Sequence, residues 1–174
     1  MKEKDILDCY YRQKDRVYRL ACFTCKNVTL AEDVFQDVFC KYMMKHPHFQ
    51  SEDHEKAWFI RTTVNACKDV LKSKWQRDRQ ELENWDGAEE MQEEPEEYDA
   101  LREAIGRLPD KYRTVIYLFY YEEYSVKEIG QILHKLESTV RTQLQRGREQ
   151  LKEMLEKGGI SHDNGRKRIS ENHQ

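Results

Sequence analysis

The chain has 174 residues, 38% of them hydrophobic and 36% charged, with a mean hydropathy of −1.00. That composition is too polar for one large core and points to two small helical domains. No apolar run of about 18 residues occurs, and Met1-Lys2-Glu3-Lys4-Asp5 lacks the apolar stretch of a signal peptide, which argues against a spanning or secreted chain and for a cytoplasmic one.

The net charge of −3 conceals a partition. Ten acidic residues and no Lys or Arg fall between Glu81 and Asp99. The remainder is basic, by +4 over residues 1–80, +2 over 100–157 and +1 over 158–174. Two basic blocks can meet a polyanion while the segment between them is repelled from it.

None of the seven glycines precedes Gly87, and Pro47 is the one proline in that stretch, so long helices can run there. Ile6, Tyr10, Val17, Leu20 and Ala21 predict an amphipathic helix over 5–26. Thr29 is the expected N-cap of a second, with Glu32 completing a capping box ahead of Val34, Phe35, Val38, Phe39 and Tyr42. The stretch from His46 to Asp53 reads as a loop around Pro47, and Ser51 or Asp53 caps a third helix over about 54–79 that grows basic towards its end. Residues 80–99 read as a flexible linker. Beyond it come a helix over about 99–107, one capped by Asp110, a short one over 126–133 with Ser125 and Glu128 as capping box, and a last one opened by Glu137 or Ser138 and running to about Lys157. The tail after Gly158 reads as disordered.

Residues 125–148 carry the strongest local signal. A short capped helix, a tight turn and a longer helix with Val140 and Leu144 inward have helix-turn-helix spacing. The outward face then carries Ser138, Thr139, Arg141, Thr142, Gln145, Arg146 and Arg148. Arg suits guanine or phosphate, Gln suits adenine, and a helix N-terminus suits phosphate. An ordinary helical hairpin with a solvated face is the bland alternative, and the absence of acids from 138 to 148 weighs against it.

On the third helix Trp58, Phe59, Asn65, Lys68, Lys72 and Trp75 mix rings, an amide and cations, a combination that suits unpaired bases. The alternative is that Trp58 and Phe59 are core residues beneath a basic outer face, and periodicity alone favours that for Trp58. Glu32, Asp33 and Asp37, beside Gln36, form an acidic patch without a His or Ser partner, which favours docking of a basic partner over acid–base chemistry. Cys22 and Cys25 are a lone CxxC without a second pair, read as buried thiols; His46 and His48 lack a third ligand. No catalytic set, metal site or cofactor is expected.

Taken in order, these segments resemble bacterial RNA polymerase sigma factors of the sigma-70 superfamily, of the extracytoplasmic-function (ECF) type. Leu30-Ala31-Glu32-Asp33-Val34-Phe35-Gln36-Asp37-Val38-Phe39 is similar to the family's segment that docks on the β′ coiled coil of core polymerase. Ala57-Trp58-Phe59-Ile60-Arg61-Thr62-Thr63-Val64-Asn65, with Asp69 and Lys72, resembles the helix that melts and reads the −10 element. The 46–55 loop, with Phe49, stands where the family captures a flipped base. Leu108-Pro109-Asp110-Lys111-Tyr112-Arg113 and the stretch Thr139 to Arg148 resemble the domain that reads the −35 element. Two departures stand out: His134-Lys135-Leu136 where the family often has Gly-hydrophobic-Ser, and Gln143 where it often has Arg.

The resemblance implies an all-α protein of two small helical domains: 1–80 for core binding and the −10 element, an acidic linker over 81–98, a four-helix helix-turn-helix domain over 99–157, and the tail 158–174. It implies core RNA polymerase (β′ coiled coil and β flap), promoter DNA and an anti-sigma factor as partners. It also implies that the linker lies in a positively charged polymerase channel. The alternative is a stand-alone helix-turn-helix regulator with an N-terminal dimerisation or sensing domain, which has no need of the Leu30–Phe39 segment or the Trp58 helix.

Overall fold

The computed structural model describes residues 3–80 and 96–158; most of the expected linker and nearly all of the tail lie outside the described residues. Among those residues there are seven helices and no strand: α1 (Glu3–Cys25), α2 (Val28–Lys45), α3 (Glu52–Gln80), α4 (Glu96–Arg107), α5 (Asp110–Tyr120), α6 (Val126–Leu133) and α7 (Glu137–Lys157).

Helices α1 to α3 pack around Val17, Ala21, Val34, Val38, Phe39, Tyr42, Phe59 and Cys67. The joint between α1 and α2 is tighter than expected. Lys26 turns left-handed (φ 57°), and Asn27, in extended conformation, caps α2 by accepting from the Leu30 amide at 2.9 Å. Thr29 therefore lies inside the helix and is not its cap; Asn is at least as good a cap as Thr and comes first. With the capping box gone, Glu32 is released to the surface. Ser51 does cap α3, its Oγ accepting from the His54 amide at 3.1 Å.

The second unit is built from α4 to α7. Pro109 stops α4 and occupies the N-cap of α5 without a side-chain bond, so Asp110 is the first helical residue rather than the cap. Proline's fixed φ and missing N–H suit that boundary, and the carboxylate still meets the positive end of the helix dipole. The capping box at Ser125 and Glu128 forms as expected, with bonds of 2.7 and 3.2 Å. His134 then takes the left-handed conformation (φ 54°, ψ 47°) that ends α6, and the Lys135 amide donates to the Gly130 carbonyl at 2.9 Å. A Cβ on Gly130 would stand 2.8 Å from the Lys135 carbonyl oxygen. The turn into α7 is possible because that position has no side chain.

The two units do not keep separate cores. Leu108, Val115, Ile116, Leu118, Ile129, Ile132, Val140 and Leu144 form one cluster with Leu20 of α1 and Ile60 and Val64 of α3. Phe23 of α1 packs on Tyr117 of α5 at a ring separation of 4.9 Å.

Candidate nucleic-acid interface

Which face of α7 looks outward is decided by what it buries. Val140, Leu144 and Gly147 are buried, and a Cβ on Gly147 would meet Ile116 Cδ1 at 2.7 Å and Tyr112 Cβ at 3.3 Å, so α7 lies hard against α5. Ser138, Thr139, Arg141, Thr142, Gln145, Arg146 and Arg148 are all exposed on this helix. Arg141 is held by Glu137 at 3.0 Å and Gln145 by Glu149 at 3.1 Å. Such exposed pairs one turn apart are worth a few tenths of a kcal/mol and exchange readily for a base edge or phosphate. Arg148 differs: its Nε donates to the Tyr120 hydroxyl at 2.8 Å and its guanidinium lies over the Phe119 and Tyr120 rings, 5.3 and 5.5 Å from their centroids. Its charge is thereby fixed in place.

Three residues not singled out as site candidates join this surface. Lys111 and Tyr112, at the start of α5, line an open concavity with Ser138, Thr139, Thr142, Gln143 and Arg146. Their part in it depends on the α5–α7 packing, which no local motif announces. Lys135, in the turn, bonds Gln143 at 3.1 Å. Burial holds its ammonium below the ordinary lysine range, Lys68 and Lys111 add to that, and Asp110 opposes it. The turn is therefore crowded with positive charge drawn from both units.

On α3, Trp58, Asn65 and Lys72 recur every seventh residue and so share one stripe, with Lys68 beside it. Asn65, Lys68 and Lys72 are exposed, while Trp58 and Phe49 are half-buried. Both readings of Trp58 hold in part. Its ring packs on Tyr42, Phe49 and Phe59 at 6.2, 5.9 and 5.0 Å and still keeps an open edge. Phe49 lies parallel to Tyr42 at 6.4 Å and edge-on to His54 at 5.6 Å.

Glu32, Asp33, Gln36 and Asp37 are all exposed along α2. Asp37 pairs with Lys41 at 2.6 Å. Among the described residues no base or nucleophile is bonded to the other three, which fits a docking patch better than a reaction centre. His46 is the left-handed C-cap of α2, its amide donating to the Tyr42 carbonyl at 3.1 Å. Among the described residues no cluster of His, Cys, Asp and Glu could hold a metal ion, and no helix is long and apolar enough to cross a membrane.

Of the CxxC pair, Cys25 is buried as expected but Cys22 is only half-buried; Cys9 and Cys67 are buried and Cys40 is exposed. The Cys25 thiol is pulled down by a hydrogen bond from Cys67, against burial and with help from Arg113, and Cys67 is pushed up in turn. Burial pushes the Cys22 thiol up, against a hydrogen bond to Tyr18.

Comparison with known proteins meets these surfaces from outside. Residues 10–77 match the family model "Sigma-70 region 2" and residues 98–151 match "Sigma-70, region 4". The ECF RNA polymerase sigma factor SigW of Bacillus subtilis is 32% identical over 167 residues, covering 87% of each chain. The RNA polymerase sigma factor SigV of the same organism is 26% identical, over 90% of this chain and 94% of its own. In fold, the chain is similar to the sigma factor RpoE of Bartonella quintana, solved in complex with the anti-sigma factor NepR, with a TM-score of 0.72, 18% identity and coverage of 88% of this chain and 98% of that one.

Proposed function

The chain belongs to the ECF sigma factors of the sigma-70 superfamily, and from that premise we propose how its surfaces divide the work. As a sigma factor it directs promoter recognition and transcription initiation. In this reading residues 99–157 take the −35 element as duplex. Arg141, Thr142 and Gln145 reach base edges, while Ser138, Thr139, Arg146 and the ring-mounted Arg148 hold phosphates. Residues 1–80 take the −10 element as single strand and melt it. Asn65, Lys68 and Lys72 lie along the strand, and the half-open rings of Trp58 and Phe49 offer stacking surfaces. Glu32, Asp33, Gln36 and Asp37 dock on the β′ coiled coil, the second unit meets the β flap, and the acidic stretch 81–98 follows a positively charged channel of the polymerase. The chain does no covalent chemistry, acts in the cytoplasm and is held in check by an anti-sigma factor.

The observation that carries this reading is the division of α7 into a face buried by Val140, Leu144 and Gly147 and an opposite face that presents seven polar and cationic side chains. Measured with holoenzyme, Arg141→Ala is expected to lose ~1–3 kcal/mol of discrimination at the −35 element and leave the −10 element unaffected. Full discrimination retained by the variant would refute the assignment. Reversal of Glu32, Asp33 and Asp37 to Lys is expected to abolish capture of core polymerase with the circular dichroism spectrum unchanged, and undiminished capture would reject the patch.

A further inference from the structure

Leu136 occupies a position where a leucine does nothing for the fold. It is the N-cap of α7 (φ −64°, ψ 143°), and its side chain makes no capping bond. Ser, Thr, Asp and Asn stabilise a helix from that position, and Leu is among the residues least suited to it. Burial offers no compensation, because the side chain is 75% exposed and joins neither apolar cluster. A single exposed leucine is ordinary on a protein surface, but this one stands at the entry to the helix whose outward face is polar and cationic. Among the described residues from Val126 to Lys157 no other large apolar side chain is exposed.

The backbone fixes the leucine from both sides. The Lys135 amide donates to the Gly130 carbonyl at 2.9 Å, and the Leu136 carbonyl accepts from the Val140 amide at 3.1 Å. The preceding side chains are committed elsewhere: Lys135 bonds Gln143 at 3.1 Å, and His134 carries the left-handed end of α6. The turn therefore presents a fixed apolar group two residues before the exposed Ser138. The N-terminal residues of a recognition helix meet base edges in the major groove. Those edges offer hydrogen-bond donors and acceptors and one methyl, at C5 of thymine, which is read by apolar contact. A protein partner fits less well. Protein docking sites present contiguous apolar patches of roughly a few hundred Å², and Leu136 is flanked by His134, Lys135, Glu137 and Ser138.

We propose that Leu136 is a specificity-determining residue of the −35 contact, packing on a thymine methyl in the major groove while the polar side chains of α7 take hydrogen bonds and phosphates. The proposal rests on the sigma-factor reading of α7, which gives Leu136 no part.

The test uses holoenzyme and a promoter duplex in which each thymine of the −35 element is replaced in turn by deoxyuridine, which removes the methyl and leaves base pairing unchanged. For the wild type, one such replacement is expected to weaken binding ~4-fold, the factor for one methyl-sized group returned to water. Leu136→Ala is expected to weaken binding of the thymine duplex by at least that factor and to be indifferent to deoxyuridine at that position. Leu136→Met, which keeps an apolar reach, is expected to restore the penalty. Deoxyuridine penalties that are the same in wild type and Leu136→Ala at every position would overturn the assignment. Thermal unfolding supplies a second readout. Leu136→Ser places a good cap at the start of α7 and is expected to raise Tm by ~2–4 °C while abolishing the methyl penalty. A fall in Tm would show that the leucine serves the fold and would overturn the proposal. Were wild-type holoenzyme to ignore the −35 element altogether, the reading of α7 as a DNA-recognising helix would fall and this proposal with it. Unchanged penalties on an element that is recognised strike Leu136 alone.

Discussion

Replacing Gly130 with Ala separates two forces of opposite sign. Within a helix the substitution alone is worth ~1 kcal/mol of stabilisation, because Ala is the better helix former. In α6, however, the new Cβ would stand 2.8 Å from the Lys135 carbonyl oxygen, several tenths of an ångström inside the usual C···O contact of ~3.3 Å. The neighbour is backbone, not a flexible side-chain end, and the Lys135 amide is pinned to the Gly130 carbonyl at 2.9 Å. Relief must come by moving the turn and with it the start of α7 at Glu137. Overpacking of this kind costs ~1–3 kcal/mol, so against the ~1 kcal/mol gain the net expectation is a loss of up to ~2 kcal/mol. For a chain of this size that lowers Tm by ~2–4 °C per kcal/mol. Thermal unfolding followed by circular dichroism reads the shift, and binding of a −35 duplex by holoenzyme reads the displaced Ser138 and Thr139. A rise in Tm of a few degrees, as helix propensity alone demands, would refute the account of this turn.

Three further outcomes follow from local geometry. Ser125→Ala removes the acceptor of the Glu128 amide and half of the capping box, and is expected to cost ~1 kcal/mol in denaturant unfolding; an unchanged midpoint would count against the cap. His134→Gly should release the ~1–2 kcal/mol of left-handed strain at φ 54° at an unfolded-state cost of ~0.4–1 kcal/mol. Tm should therefore hold or rise slightly, and a clear fall would contradict this. Burial pushes the Glu55 carboxyl up, but bonds from Arg12 at 2.8 Å and Gln13 at 2.7 Å outweigh it and hold it below the ordinary range. A depressed folded value stabilises above the unfolded pKa of about 4.5 and is lost as pH falls through the folded value. Glu55→Gln should then cost ~1–2 kcal/mol near neutrality, Arg12 being half in solvent, and its urea midpoint should approach that of wild type as pH falls below about 4.5 and through the folded value. Parallel curves down to pH 3 would show that the charge is not the source.

What could be read from the chain was whatever depends on periodicity and nearest neighbours. Apolar spacing placed all the helices to within a few residues, and Ser125 with Glu128 announced α6 because a capping box is a local device. Caps competing within two residues were read less well: Asn27 against Thr29, and Pro109 against Asp110. There the choice turns on which residue can be extended, and spacing cannot settle it. The candidates on α2 and α7, and Asn65, Lys68 and Lys72 on α3, emerged on exposed faces because burial of Val34, Phe59 and Val140 dictates the opposite side, whereas Trp58 packs half into the core. Lys111, Tyr112 and Lys135 were missed as site candidates since their neighbours come from other helices. The contacts of Arg113 and Arg61 with carbonyls 89 and 71 residues away had no signature at all, since a carbonyl acceptor is present at every residue.

Transcription in vitro with core RNA polymerase tests the central claim most directly. Added to core enzyme on a promoter from its own genome, the chain is expected to produce a transcript with one defined start, absent with core alone and lost when Arg141 or the Glu32, Asp33 and Asp37 patch is replaced. No start-specific transcript from any promoter of that genome, or the same transcript from the patch variant, would contradict it.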